Sequence, residues 1–411
     1  MELYDYNGNP ILTETEPLSN DIPEVYIEGT IPTSKNDGEL PVKLDYVSKT
    51  AKYSTYAKIK VQGDSSTAYP KKNFTIKLFS DSQRKNKYKV DFKGWGKYNK
   101  FVLKANWIDI THSRNICCAR LWGDVVRSRT DYSSLPAELR NTLNNAGIDG
   151  FPVIVYTNGI YQGRYTWNVP KDGFMLGMDE DNPAHMAIQP NGGTVCNFRS
   201  LWSQNLGAYT DELRDDAPSA SVQLFDSFMS FVQTSNNTSF VDHLADYVDV
   251  QSFLMYECFH NAISGFDSTQ KNHFFLSYDG EKFIASSYDM DSTFGLEWNG
   301  ERIVPVDYDW RSTTAGETHL LYDRIDELFA SELQAEYARL REGALSFTNI
   351  MHHFEEFISI VPPYIVSEDY ASTTADGAFV NIPSKDITNI QQIRDYAKKR
   401  LDYVDGWYNL T

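Results

Sequence analysis

Asp267, Asn272, Asp289 and Asp291 are the residues of this 411-residue chain whose types and order suit phosphoryl transfer. One carboxylate can orient or deprotonate an attacking hydroxyl, an Asn can help hold a divalent metal, and a further Asp can sit on the metal that bridges the phosphates. Four residues lie between Asp267 and Asn272. Two strand-like runs, 273–277 and 282–286, then flank the turn pair Asp279-Gly280, and Asp289-Met290-Asp291 follows. Short apolar runs on either side of Asp-Gly predict a hairpin. Its folding brings the second acidic group back beside the first, so that two sequence blocks make one site.

Other readings compete with this one. A solvated Asp-x-Asp loop is commoner than a metal site. Asp289-Met290-Asp291-Ser292-Thr293 also fits the opening motif of haloacid dehalogenase-type phosphatases, but no Gly-Asp block follows Gly295 to complete such a site. A nucleotide-sugar transferase would use Asp-x-Asp for its metal, a two-carboxylate signal too short to decide anything. Gly63-Asp64-Ser65 with Asp109 and His112 gives a serine-hydrolase reading whose order matches no hydrolase pattern. Glu257 and His260 lie near the end of a predicted helix, where a His is more often a core or dipole-capping residue than a ligand.

The elements that must carry these residues follow from periodicity. Apolar residues at 41% and aromatics at 14% support a substantial core in one large or two modest domains. Residues 1–40, rich in Pro, Gly, Asn and Glu, read as an arm with one short strand at 24–27. Strands are expected at 42–44, 57–61 and 73–78, and between the last two lies a small, polar loop, 62–72, that closes on Lys71-Lys72. Backbone N–H groups of such a loop can cover phosphates, and a Lys after it can neutralise their oxygens. A strand near 100–107 leads to a helix from 116 to 126, capped by Thr111 or Ser113. Arg114 then falls in the first turn, where a bound anion would offset its unfavourable meeting with the helix dipole.

Residues 127–150 predict an inserted loop with one short helix around 136–145. A hairpin turns at Asn158-Gly159 between 151–156 and 161–167, and 170–216 read as draping loops. Apolar stripes then predict helices at 219–234 and 249–261, and further helices are expected at 318–342, 349–360 and 385–408 beyond a loop at 296–314. The fold class is therefore α+β, with a β-rich lobe over about 41–216 and a helical lobe over about 217–411.

Composition narrows the partners. A formal charge of −18 disfavours a nucleic-acid backbone and favours a basic protein. Four cysteines without a Cys-x-x-Cys suggest neither disulfides nor zinc. The N-terminus lacks the pattern of a signal peptide and no apolar run reaches the ~20 residues of a membrane span, so synthesis and retention in a cytosol are expected, or incorporation into an assembly.

Four ordered blocks together resemble the spore coat protein H (CotH) kinase family. They are Gln62-Gly63-Asp64-Ser65-Ser66 with Lys71-Lys72-Asn73-Phe74-Thr75-Ile76-Lys77-Leu78; Val102-Leu103-Lys104-Ala105-Asn106-Trp107-Ile108-Asp109 with Arg114-Asn115; Asn158-Gly159-Ile160-Tyr161-Gln162-Gly163; and Tyr288-Asp289-Met290-Asp291 running to Gly295. The resemblance implies an atypical protein-kinase-like, two-lobed fold that uses ATP with Mg²⁺ or Mn²⁺ to phosphorylate Ser or Thr of a protein, for which a basic, Ser-rich substrate would suit. It implies Asp267 as the catalytic carboxylate, Asn272 and Asp289 as metal ligands with Asp291 close by, and Ser65, Ser66, Lys72, Lys77 and Arg114 towards the nucleotide. Gln62 stands where the family carries Arg, and 166–170 lack the Glu that would pair with the phosphate lysine. The family also occurs in phage virion proteins, so a coat or virion component that keeps the kinase-like fold is the alternative.

Overall fold

The computed structural model describes residues 22–192, 196–214, 218–300, 303–312, 317–362, 365–366 and 389–410, together with the backbone of 2–4 and 10–11. Much of the expected arm, and 385–388 of the last expected helix, lie outside the described residues. The chain forms two compact units that interleave along the sequence. The first comprises Met1–His112, Asp149–Pro170 and Glu355–Ile382, and the second Ser113–Ile148, Lys171–Phe354 and Pro383–Thr411.

The first unit holds β1 (Glu2–Tyr4), β2 (Pro10–Ile11), β3 (Glu24–Gly29), β4 (Leu40–Val47), β5 (Ala51–Gln62), β6 (Asn73–Phe79), β7 (Val90–Asp91), β8 (Lys97–Tyr98), β9 (Lys100–Lys104), β10 (Gly150–Thr157) and β11 (Ile160–Asn168). Nine strands run in the order β2-β1-β5-β4-β3-β10-β11-β9-β6, and β6 pairs again with β5, which closes seven of them into a ring. Closure removes the free edges that an open sheet would leave. Period-two alternation sets the faces: Ala57, Ile59 and Val61 on β5 are buried, as are Phe74, Ile76 and Leu78 opposite them on β6. Aromatic rings fill the interior, with Phe92 edge-on to Phe101 at 4.9 Å and Phe101 at 5.2 Å from Trp167. Asn158 (φ 50°) and Gly159 (φ 77°) both take positive φ at the β10–β11 turn, as a two-residue hairpin loop requires. Ile22, Ile154, Val361 and Ile365 make a small satellite core.

The second unit contains α1 (Arg114–Arg127), α2 (Ala137–Arg140), α3 (Gly173–Leu176), β12 (Met186–Pro190), β13 (Tyr209–Asp211), α4 (Ser219–Thr234), α5 (Asn237–His243), α6 (Val250–Ile263), β14 (His273–Ser277), β15 (Ile284–Ser287), α7 (Leu320–Leu328), α8 (Ala330–Glu342) and α10 (Ile390–Trp407). One further helix, α9 (Phe347–Ser359), has residues in each unit. β13, β12, β14 and β15 form a four-stranded antiparallel sheet. At its centre α6 is buried from Ser252 to Ile263 on every face, as expected of a helix surrounded by other elements. It packs on β15, α1, α8 and α10. Asp249 caps it, accepting from the Ser252 amide at 2.8 Å.

Three local expectations change. Residues 170–216, expected as loops, contain β12 and β13, and all five residues of β12 are buried. A strand covered on both faces shows no alternation to reveal it. The helix expected over 318–342 is two helices that break at Phe329. The short helix expected around 136–145 covers only Ala137–Arg140. The four cysteines are buried free thiols. Among the described residues no helix is long and apolar enough to cross a membrane.

Candidate functional site

The hairpin of β14 and β15 decides the site. Its register pairs His273 with Ser287. The Tyr288 amide therefore donates to the Asn272 carbonyl at 3.0 Å, and the acidic blocks on either side of the hairpin meet. Asn272 Nδ2 lies 3.3 Å from Asp267 Oδ2 and 3.4 Å from the Asp289 carbonyl oxygen. Asn272 (φ 61°) and Asp289 (φ 46°) both occupy the left-handed region, which Asn and Asp tolerate best among side-chain-bearing residues. Left-handed non-glycine residues are uncommon, and such backbone concentrates at functional sites.

Asp267 is reached by the turn that follows α6. Ser264 ends that helix with φ 53°, and Tyr256, on α6, donates its hydroxyl to the Ser268 carbonyl at 2.6 Å, which fixes the loop. Burial pushes the Asp267 carboxyl up to about 7; Lys271 opposes the shift and the Asp289 carboxylate adds to it. A carboxylate with that affinity for a proton is matched to general-base work near neutral pH.

Behind Asp289 the loop to Gly295 is held from several sides. Asn115, in the first turn of α1, donates Nδ2 to Asp289 Oδ1 at 2.7 Å and accepts the Met290 amide on Oδ1 at 3.0 Å. Periodicity and turn signals do not reveal this role of Asn115, because the contact spans 174 residues. Its only signal is its place beside Arg114 in the Arg-Asn segment. Arg114 itself is fully buried, with Nε donating to the Thr293 carbonyl at 3.0 Å and Nη2 to Gln392 Oε1 at 2.6 Å. Gln392 in turn donates to the Phe294 carbonyl at 3.0 Å. These contacts make Arg114 a residue that positions the acidic loop. Asp291 is half-buried and accepts the Ser292 hydroxyl at 3.2 Å.

The remaining candidates lie in the first unit. Ser65 and Ser66 begin a single 3₁₀ turn after β5; Ser65 is exposed, and Ser66 Oγ accepts from Asn73 Nδ2 at 3.2 Å. Lys72 donates to the carbonyls of Thr67 and Tyr69 at 2.7 and 2.6 Å, which ties the loop into shape. Lys77 stands apart from that loop, four residues along β6 from Asn73, or about 13 Å at the rise of a strand. Its ammonium pairs at 2.6 Å with Glu39, a carboxylate far in sequence from residues 166–170. Asp109, of the hydrolase reading, accepts the amide and hydroxyl of Thr111 at 3.1 and 2.6 Å and so closes a turn. Glu257 is fully buried, and burial with the nearby Asp326 charge holds its carboxyl well above the usual range, as befits a core group.

Among the described residues no three His, Cys, Asp or Glu side chains are grouped to hold a metal by themselves. The donor set is nevertheless hard and oxygen-rich: the carboxylates of Asp289 and Asp291, with the amide of Asn272 beside Asp267. Mg²⁺ is commonly bound by one or two carboxylates and completed by phosphate oxygens and water, so the residues present fit such an ion.

The fold and this cluster define a mixed α+β protein in which Asp267, Asn272 and Asp289 meet at the base of a hairpin. The family model described as CotH kinase protein matches residues 59–404, and the chain belongs to that family. No match among curated proteins is found.

Proposed function

We propose that the chain is a CotH-type protein kinase, with an atypical kinase-like fold of a β-rich and a helical lobe, that transfers the γ-phosphoryl group of ATP to a Ser or Thr hydroxyl of a protein. The observation that carries this reading is the meeting of Asp267, Asn272 and Asp289 across the β14–β15 hairpin, with the Asp267 carboxyl at about 7. Asp267 accepts the proton of the attacking hydroxyl and aligns its oxygen. Asn272, Asp289 and Asp291 are the oxygen donors for Mg²⁺ or Mn²⁺. When bound, that ion would neutralise phosphate charge. Asn115 and Arg114 keep the Asp289 loop in place. In the first unit, Ser65 and Ser66 offer hydroxyls and loop amides to phosphate oxygens, and Lys72 maintains the shape of that loop. The family relationship supports the same reading.

Two measurements test it. ATP with Mg²⁺ at ~100 times its dissociation constant should add ~2.7 kcal/mol of stability and raise the melting temperature. Transfer of label from γ-phosphate to a basic, Ser-rich protein should drop about 10²–10⁴-fold in Asp267→Asn. An unchanged melting temperature together with undiminished labelling by the variant would end the proposal. Absence of both nucleotide binding and transfer, with recovery of the chain as a stoichiometric part of a purified particle, would instead favour a coat or virion component that keeps the fold.

A further inference from the structure

We infer that Tyr256 and His260, on α6, are positioning residues for the acidic cluster. They act through a buried chain of hydrogen bonds that runs from the His260 ring through the Ser287 and Tyr256 hydroxyls to the Ser268 carbonyl. The inference rests on the reading of Asp267, Asn272 and Asp289 as the phosphoryl-transfer site. What singles out the chain is where it leads. Ser268 follows Asp267, and Ser287 lies two residues before Asp289. His273, which follows Asn272, stacks its ring on that of Tyr256 with centres 4.1 Å apart. One phenol thus meets a neighbour of each of the three site residues. Tyr256, His260, Ser268, His273 and Ser287 are all buried.

The last member of the chain fixes the direction of every bond in it. A carbonyl only accepts, so Tyr256 gives its proton to Ser268, at 2.6 Å. The phenol oxygen can then only accept from Ser287. Burial, and after it the Asp267 charge, raise the phenol's pKa well above its ordinary value, and the hydrogen bond with Ser287 opposes them. With its proton directed at Tyr256, Ser287 Oγ accepts from His260 Nε2, 2.8 Å away. Its partners therefore assign His260 as the neutral Nε2–H tautomer, with a bare lone pair on Nδ1. The surroundings agree. His260 Nδ1 is buried without a hydrogen-bond partner and faces Gly265, where an added Cβ would fall 2.3 Å from it. A proton there would be a buried donor with no acceptor. Burial likewise holds the ring's pKa well below the ordinary value. The ring is clamped between Tyr256, at 4.1 Å, and Trp310, at 5.6 Å. So held, the chain sets the spacing of the segments that carry Asp267 and Asp289, where an error of about 1 Å would cost roughly 10²-fold in rate.

Three measurements on the full chain test this. In protein labelled with ¹⁵N-histidine, the imidazole signal lost in His260→Gln should report the Nε2–H tautomer at neutral pH. An Nδ1–H tautomer or a protonated ring would overturn the chain. In steady-state phosphoryl transfer, Tyr256→Phe keeps the ring and should lower kcat about ten-fold or more, with the KM for ATP changed less than about three-fold. Tyr337→Phe, which removes a hydroxyl bonded to Asp405 on α10, controls for lost stability and should leave kcat unchanged. An equal fall in the two variants would make Tyr256 merely structural and overturn the inference. Finally, either change breaks the same chain, so Tyr256→Phe combined with Ser287→Ala should lose little beyond the worse single variant, whereas losses that multiply would count the residues as independent and sink the idea. If the double variant does not fold, the tautomer and the single variant decide. A parent that transfers no phosphate would end the kinase reading by itself, and the tautomer would then decide the chain.

Discussion

Asp267 shows how a single residue can serve activity at the expense of stability. Its carboxyl titrates at about 7 in the folded chain, against about 3.9 for an unperturbed Asp. Below the unfolded value the group is protonated in both states and contributes nothing. Between the two values the unfolded chain has released the proton while the folded chain retains it, so stability falls as pH rises, by about 1.4 kcal/mol per unit, and levels off above the folded value. The isosteric amide avoids this loss. Asp267→Asn is therefore expected to be more stable than the parent in metal-free buffer at pH 8, by up to a few kcal/mol, and equal to it near pH 4. Urea denaturation at the two pH values checks the sign; a variant less stable than the parent at pH 8 would mean that the ionised carboxylate is well satisfied in the fold.

At the level of the element, the loop from Asp289 to Gly295 depends on its last residue. Gly295 has φ +86°, and a Cβ there would come within 2.5 Å of the Tyr396 ring on α10. Its neighbour Phe294 is already left-handed at φ 49° and donates its amide to the Ile263 carbonyl at 2.7 Å, so the chain cannot shift freely. Gly295→Ala should destabilise the protein by about 2–4 kcal/mol through the disfavoured backbone and the overlap with the ring. It should also lower phosphoryl transfer, since Asp289 and Asp291 lie at the start of the same loop. A urea midpoint unchanged from the parent would show that α10 yields easily. The hairpin has a similar sensitivity. A one-residue slip of β14 against β15 would turn Asn272 away from Asp289 and exchange the side chains of the two faces of β14, both of which are buried.

Across the whole molecule, several histidines are folded in as neutral rings. His112, in one unit, and His260 and His319, in the other, are buried, and burial depresses all three, His319 to about 3 with the Arg199 charge assisting. Above the unfolded value of about 6.5 they are neutral in both states. As pH falls below it the unfolded chain takes up protons that the folded chain refuses, and each histidine removes about 1.4 kcal/mol of stability per unit until its folded value is reached. Acid should therefore unfold the protein early. His319→Phe, placed among the rings of Phe198 and Tyr322, should reduce the loss between pH 7 and pH 5 by about 2 kcal/mol, read as the difference between two denaturant titrations. An equal loss in parent and variant would show that His319 already binds a proton in the folded state.

The sequence by itself determined the features that act over short stretches. Alternation placed β5, β6 and the β10–β11 hairpin, apolar stripes placed α4 and α6, and the Asp279-Gly280 turn between two acidic blocks was enough to predict that Asp267, Asn272 and Asp289 meet. Its ordered motifs also pointed to the family. Only the tertiary structure decided what lies between residues far apart in the chain: that β3 pairs with β10 and so closes the ring, that α1 brings Asn115 to Asp289, that Arg114 donates to the loop behind the acids, and that Lys77 pairs with Glu39. The physical reason is that turn propensity and periodicity are properties of a few neighbouring residues, whereas burial, and the partner each polar group finds when water is removed, depend on packing between elements that the linear order does not encode.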